Sequence, residues 1–123
     1  VTLYFVDDRD HLVPQLRRTG RLGTVAEAVA LLFSGPPNEP GLRSEISATG
    51  GRPVVTTSPG LIHLSVPLAD YEVTARGIDQ IVCTALGVAV QRGEPRQARV
   101  RVSFTLDSPE SAKDRACPVI PGR

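Results

Sequence analysis

The chain has 123 residues, 41% of them hydrophobic, and its 14 basic and 13 acidic side chains leave a net charge of +1. This length and apolar content predict one globular domain with one core and argue against a disordered chain. The balanced charge, the absence of Trp and the 4% of aromatic residues argue against nucleic acid and anionic membrane surfaces as partners. No apolar run reaches the roughly 18 residues that a membrane-spanning helix needs.

The first segment, residues 1–6 (VTLYFV), is apolar on both faces, which is typical of a strand in the middle of a sheet. The acidic residues that follow predict a turn at 7–10. Residues 11–14 indicate a short extended continuation, and residues 15–23 indicate an exposed loop.

Residues 24–33 carry the clearest helix signal. Thr24 and Glu27 fit a capping box, in which each side chain binds the backbone N–H of the other residue. Apolar residues recur at helical spacing and predict one buried stripe. Gly35 and Pro36 predict the end of the helix, because glycine suits the left-handed position after it and proline cannot continue it.

Three strand-like segments follow at residues 42–48, 54–57 and 61–66. The first alternates apolar and polar residues, as a half-buried strand does. The other two predict a hairpin around Pro59 and Gly60, which suit a type II turn.

A second amphipathic helix is predicted at roughly residues 75–86, and residues 98–106 alternate strictly as a strand. The order β-α-β-β-β-α-β predicts an α/β (α+β) fold, a two-layer sandwich with two helices on one face of a mixed sheet. Arginines at the outward positions of the last strand indicate that the other sheet face is at least partly wet. Residues 1–106 form this domain, and residues 107–123 form a polar, irregular tail.

No catalytic, metal or cofactor site is predicted. Asp7, Asp8 and Asp10 lack the turn glycine and the distal glutamate of a calcium loop. Cys83 lies in the middle of a predicted helix, with His63 as the central histidine and no oxyanion-loop signature, so it does not fit a nucleophile. The chain has no phosphate-binding loop, dinucleotide fingerprint or zinc-binding helix.

The two cysteines predict a disulfide. Cys83 points about 130° away from the apolar stripe of the second helix, at roughly 3.6 residues per turn, so we expect it at the side or outside of the helix and not in the central core. Only a tail could reach it there, and Cys117 lies in the tail. A Cys83–Cys117 disulfide would tie residues 107–123 to the domain and imply an oxidising, extracytoplasmic setting. Two buried thiols are the alternative.

Two loops are candidate interaction surfaces. Arg17, Arg18 and Arg21 form a small basic loop that could contact an acidic partner. Asn38 and Glu39 lie at the tip of the proline-rich connection after the first helix. The alternatives are a solvated loop for the first and a rigid helix-to-strand connector for the second.

Five stretches of the chain, taken in order, resemble the sporulation and spore germination (GerMN) domain. They are VTLYFVDDRDHLVP, AVALLFSGPPNEPGLRSEI, GLIHLSV, IDQIVCTAL and ARVRVSF, within residues 1–106. The second stretch is the most specific, with a helix ending in ALL-x-x-GP, a short proline-bearing loop and then GL. Residues 48–51 (ATGG) depart from the proline-bearing turn that is common in the family, and the cysteine-bearing tail is not part of the motif.

The resemblance implies an α/β domain of bacterial envelope proteins, frequently lipoproteins of high-GC Gram-positive bacteria. It implies that a signal peptide and a lipid-modified cysteine precede Val1, so that the lipid anchor is the protein's one contact with the membrane. It also implies a structural or interaction role without established catalysis or cofactor. The implied partner is an envelope protein or a second copy, because related domains in spore-forming bacteria associate side to side.

We therefore expect a non-catalytic, extracytoplasmic protein-interaction or structural domain of a membrane-anchored lipoprotein. The alternative is a module that binds a small ligand or a cell-wall glycan. Such a module would need a concave pocket with convergent polar groups.

Overall fold

Two helices and two small sheets make up the part of the chain that the computed structural model describes. That part comprises residues 1–17, 23–34, 39–47, 51–106 and 108–120. The predicted α+β fold class is confirmed. The strands are β1 (Thr2–Asp7), β2 (Leu12–Leu16), β3 (Leu42–Arg43), β4 (Val54–Ser58), β5 (Leu61–Ser65), β6 (Arg99–Ser103) and β7 (Asp114–Arg115), and the helices are α1 (Val25–Phe33) and α2 (Ala75–Gln91).

The first sheet is antiparallel and has three strands in the order β2-β1-β3. The prediction that the first strand is central is confirmed, because Leu3, Phe5 and Val6 are fully buried between its neighbours and the helices. The predicted short extended continuation is the complete strand β2, which pairs along the whole of β1. The exposed loop predicted at residues 15–23 is therefore wrong for residues 15 and 16, which belong to this strand.

The second sheet has four strands in the order β4-β5-β6-β7. The predicted hairpin joins β4 to β5 through Pro59 and Gly60, and Gly60 has the positive φ of +74° that a type II turn needs. β5 and β6 are parallel and are connected by α2. The predicted single mixed sheet is thus divided into two sheets, and the tail contributes β7 and a 3-10 turn.

Helix α1 begins at the predicted capping box. The Thr24 hydroxyl accepts a hydrogen bond from the Glu27 N–H at 3.1 Å, and the Glu27 carboxylate accepts one from the Thr24 N–H at 3.3 Å. The predicted stop at Gly35 and Pro36 lies outside the described residues. The predicted apolar stripe is buried at Ala28, Val29, Leu32 and Phe33, and Val25 at its start is half-buried.

Helix α2 is longer than predicted and is buried on most of its sides. It contacts α1, β1 and β6, so it lies at the centre of the core. The prediction of a single apolar stripe was therefore too narrow. Its buried residues are Gly77, Ile78, Gln80, Ile81, Val82, Cys83, Thr84, Ala85, Leu86, Val88 and Ala89.

Two polar side chains of α2 complete the hydrogen bonding of β1. The Asp7 N–H donates to the His11 carbonyl, next to β2, at 3.0 Å. In an antiparallel pair the residues of a strand alternate between hydrogen-bonded and non-bonded positions. Tyr4 is three residues before Asp7, so it is in a non-bonded position and its backbone N–H and C=O groups point away from β2. The Tyr4 N–H donates to the Thr84 hydroxyl at 3.1 Å, and the Gln80 amide donates to the Tyr4 carbonyl at 3.1 Å. The side chains of α2 thus occupy the place of a strand that β3 is too short to fill.

The strand predicted at residues 42–48 is wrong in its extent. Only β3 pairs with β1, and Ile46 forms an isolated bridge with the segment before α2. The reason is that the backbone of Glu45 bonds with α2 and its N-cap. Its N–H donates to the Gln80 side chain at 2.8 Å, and its carbonyl accepts from the Thr74 N–H at 3.3 Å.

The carboxylate of Glu45 is held by groups on both sides. The Thr74 hydroxyl donates to one carboxylate oxygen, and the Arg43 guanidinium donates to the other at 2.6 and 2.9 Å. These hydrogen bonds, that of Thr74 first, lower the pKa of Glu45. In the first turns of α2, burial instead raises the pKa of Asp79, although Arg76 opposes the change.

We expect Gly77→Ala to lower the free energy of unfolding by about 1–3 kcal/mol. A Cβ at this position would lie 3.0 Å from the carbonyl carbon of Glu45 and closer still to its oxygen, so the start of α2 would have to move. Urea unfolding followed by circular dichroism measures the change.

Gly87→Ala, in the same helix, is the matched control. Its Cβ would meet the Tyr4 ring at an ordinary 3.7 Å, and alanine favours helix by about 1 kcal/mol, so stability should stay the same or rise. An equal loss in both variants would contradict the close approach at Gly77.

The carboxylate of Glu45 should make stability depend on acid pH. Because its folded pKa is below the unfolded value of about 4.3, the stabilisation is present above that value and is lost as pH falls through the folded pKa. Glu45→Gln should therefore flatten the acid limb of a plot of unfolding free energy against pH. Asp79→Asn should make the acid limb steeper. The raised pKa of Asp79 means that its contribution to the free energy of unfolding increases as pH falls, and the variant loses this contribution. Identical slopes in wild type and both variants would refute this assignment.

Candidate interaction site

The described strands leave four sheet edges, and three of them are unsuitable for pairing. β3 and β7 have only two residues each. β2 contains Pro14, which lies opposite Tyr4 in a non-bonded pair, so the backbone of Pro14 faces the open side of the strand. Proline has no N–H, so this edge lacks a donor for an added strand. β4 differs, because its five residues, VVTTS, include neither a charge nor a proline.

The backbone direction in β5 follows from its bonds to β6. The carbonyl of Gly60 accepts from the Arg99 N–H at 2.9 Å, and the N–H of Val66 donates to the Ser103 carbonyl at 2.9 Å. Even-numbered residues of β5 therefore direct their backbone groups to β6, and odd-numbered residues direct theirs to β4.

The same alternation places two residues of β4 on the open edge. The odd-numbered residues of β5 lie opposite Val54, Thr56 and Ser58, so these bond with β5. The N–H and C=O groups of Val55 and Thr57 point outward and form no hydrogen bond with another described residue. An edge of this kind can accept another extended segment.

On the outer face of the four-stranded sheet, the inner strands carry polar and charged side chains, whereas the edge strand β4 carries no charge. On this face His63 makes a 2.6 Å hydrogen bond with the Ser103 hydroxyl. Arg101 donates to Asp114 at 2.7 Å. On β4 itself the outward side chains are uncharged, and Val54 is 65% exposed.

A groove of about 340 Å³ lies beside α1, close to the start of β4. Val1, Ala30 and Leu31 supply much of its apolar wall, while Glu27 and Arg52 supply opposite charges. A second, more open groove of about 400 Å³ lies next to Tyr71, which is 80% exposed. Each groove is lined by both apolar and charged side chains.

The predicted disulfide between Cys83 and Cys117 is present, with the two Cα atoms 4.9 Å apart. The prediction that Cys83 stays outside the core is wrong, because Cys83 is 0% and Cys117 only 3% exposed. The tail folds over that side of α2 and buries it. The disulfide indicates an oxidising, extracytoplasmic environment.

Of the residues predicted as interaction surfaces, the two that the structure describes, Arg17 and Glu39, lie apart. The Arg17 guanidinium lies 5.7 Å from the centre of the Phe5 ring, next to the start of β1. Glu39 is exposed and precedes β3 at the other end of β1, about 20 Å away for a strand of this length. Arg18, Arg21 and Asn38 lie outside the described residues.

The acidic turn after β1 is stabilised by hydrogen bonds within the turn. The Asp7 carboxylate accepts from the N–H groups of Arg9 and His11 at 2.9 and 2.8 Å. No group of three or more His, Cys, Asp or Glu side chains in the described ranges could hold a metal ion. No helix in those ranges is long and apolar enough to cross a bilayer.

A scan against protein-family models, a search of curated proteins and a search of solved structures found no match to this chain. The GerMN resemblance therefore stays a prediction that depends on the five quoted stretches.

The open edge of β4 was not predicted from the sequence, although the hairpin was. The signal that could have found it is an uncharged run of four β-branched residues and one serine between Pro53 and Pro59. Proline at both ends is typical of a strand with a free side, because proline cannot donate to a neighbouring strand.

Removal of the disulfide should lower stability strongly. Its cysteines are 34 positions apart, and closing a loop of this length contributes about 3–4 kcal/mol on the chain-entropy model. Urea unfolding of the wild type with and without a phosphine reductant measures this difference. The double variant Cys83→Ala/Cys117→Ala is the control and should not respond to the reductant. Free thiols in the unreduced, unfolded wild type would contradict the pairing.

Proposed function

We propose that this chain is a non-catalytic protein-interaction domain that works outside the cytoplasm, in a membrane-anchored lipoprotein of the bacterial cell envelope. The buried Cys83–Cys117 disulfide is the observation that carries this proposal. A buried disulfide that holds the tail against the central helix suits a protein that folds where thiols are oxidised.

The open edge of β4 supports the interaction role. It presents free backbone donors and acceptors at Val55 and Thr57, with an exposed Val54 beside them. Natural proteins usually block such an edge, and in this fold the other described edges are indeed short or interrupted by proline. An edge that stays open is therefore a candidate for contact with a partner strand.

The lipoprotein assignment comes from the GerMN resemblance of residues 1–106. The resemblance implies a lipid anchor on a cysteine that precedes Val1. Such an anchor would hold the domain close to the outer surface of the membrane and bring it near other envelope proteins.

The groove beside α1 favours a second candidate function, the binding of a small ligand or a glycan fragment. Its volume of about 340 Å³ lies within the range of ligand pockets, and Glu27 and Arg52 place polar groups at an apolar wall formed by Val1 and Leu31.

Photo-crosslinking in intact cells tests the interaction role. The full-length protein would carry a photoreactive residue at Thr57 on the open edge or, as a control, at Glu94 in the exposed loop after α2. We expect adducts with an envelope protein or a second copy from position 57 and none from position 94. Recovery of the chain in the cytosol with free thiols, or equal adducts from both positions, would reject the proposal.

A further inference from the structure

We propose that β4 pairs with β4 of a second copy, antiparallel about a two-fold axis at Thr56, so that two four-stranded sheets become one continuous sheet. This inference rests on the proposed interaction function and names the partner at the same edge. The edge is its own complement in backbone hydrogen bonding, in side chains and in charge.

The backbone register follows from the prolines at both ends of β4. With Thr56 opposite its copy, Val55 lies opposite Thr57 of the second copy, and every outward N–H and C=O of these two residues finds a partner. A shift by two residues in one direction sets Thr57 opposite Pro53, and in the other it sets Val55 opposite Pro59. Proline has no N–H, so either shift leaves carbonyls without a donor.

The side chains of the edge also suit a copy of themselves. A two-fold axis places like residues together, so a charge near the axis would meet the same charge. Thr56 would meet Thr56 of the second copy, a favourable cross-strand pair, and Val54 would lie against Ser58. The nearest charged residue along the chain, Arg52, would lie opposite Gly60 and away from its own copy.

The size of the contact predicts weak association. A single pair of five-residue strands buries less than the roughly 1,200 Å² of a stable interface, so we expect a dissociation constant well above the micromolar range. Copies that are anchored to one membrane surface have a high effective concentration, which favours even a weak contact.

Charged substitutions of Thr56, the residue on the two-fold axis, test the pairing in the 123-residue chain. Sedimentation at concentrations up to millimolar should show a monomer–dimer equilibrium. Thr56→Lys and Thr56→Glu should each raise the dissociation constant at least about tenfold, because like charges would meet, while a mixture of the two variants should dimerise again. Ser65→Lys, on the same face but one strand inward, should leave the equilibrium unchanged.

A cysteine scan tests the register independently. Thr56→Cys should form an intermolecular disulfide on mild oxidation, because facing Cα atoms of a non-bonded antiparallel pair lie about 4.5 Å apart. Ser58→Cys should not, since it would lie about 13 Å from its own copy.

The outcomes separate this inference from the function on which it rests. A chain that stays monomeric at millimolar concentration, or a dimer that is insensitive to charge at position 56, overturns the self-pairing. If the edge at position 57 then crosslinks to a different envelope protein in cells, the interaction function stands and the occupant is a partner strand. Absence of both dimer and adduct rejects both.

Discussion

The two hydrogen bonds between α2 and the backbone of Tyr4 are the constraint on which the rest of the fold depends. β1 is paired along its whole length on one side only, because β3 is two residues long. Gln80 and Thr84 are four residues apart, so they lie on one side of the helix and can reach the donor and the acceptor of one residue. Without them, Tyr4 would leave polar groups unpaired in the core, at a cost of about 1–3 kcal/mol for each group.

This arrangement also fixes the start of the loop that follows β3. The oxygen of the Gln80 side chain accepts from the backbone of Glu45, so one buried amide joins β1, the loop and α2. The close approach is possible because Gly77 has no side chain at the contact. Cys83 then lies next to Thr84 but points to another side of the helix, where the tail covers it. α2 is therefore buried on most of its sides, because several different segments pack on it.

The sequence predicted those parts of the fold that depend on local signals. The capping box at Thr24, the turn at Gly60 and the central first strand follow from residues close together in the chain. The burial of Gln80 and Thr84 could not be read in this way, because their partner at Tyr4 is far away in sequence. The apolar periodicity of the second helix placed Cys83 outside the core for the same reason. Periodicity identifies the most apolar face of a helix, whereas the burial of its other faces depends on which distant segments of the chain pack against them.

The candidate site was equally hard to predict, for a reason of topology. The run VVTTS indicates a strand, but whether its edge is open depends on which strands pair, and β7 has too few residues to show any periodicity. The predicted surface residues Arg17 and Glu39 are polar and lie in or beside loops, which is the usual signal of exposure. Exposure alone did not bring them into one patch.

The disulfide influences which sheet edges are open, because it holds the tail against one edge of the four-stranded sheet. β7 pairs with one end of β6, and the Ser111 hydroxyl accepts from the backbone N–H of Phe104 just beyond the other end, so the tail runs along that edge of the sheet. Cys117 follows β7 by two residues and ties this cover to α2. A sheet with two open edges can add copies without limit, whereas a sheet with one open edge closes after a single symmetric pairing. By holding the tail over β6, the disulfide leaves β4 as the one long open edge of the described sheet, so the proposed association through it would end at a dimer instead of a fibre.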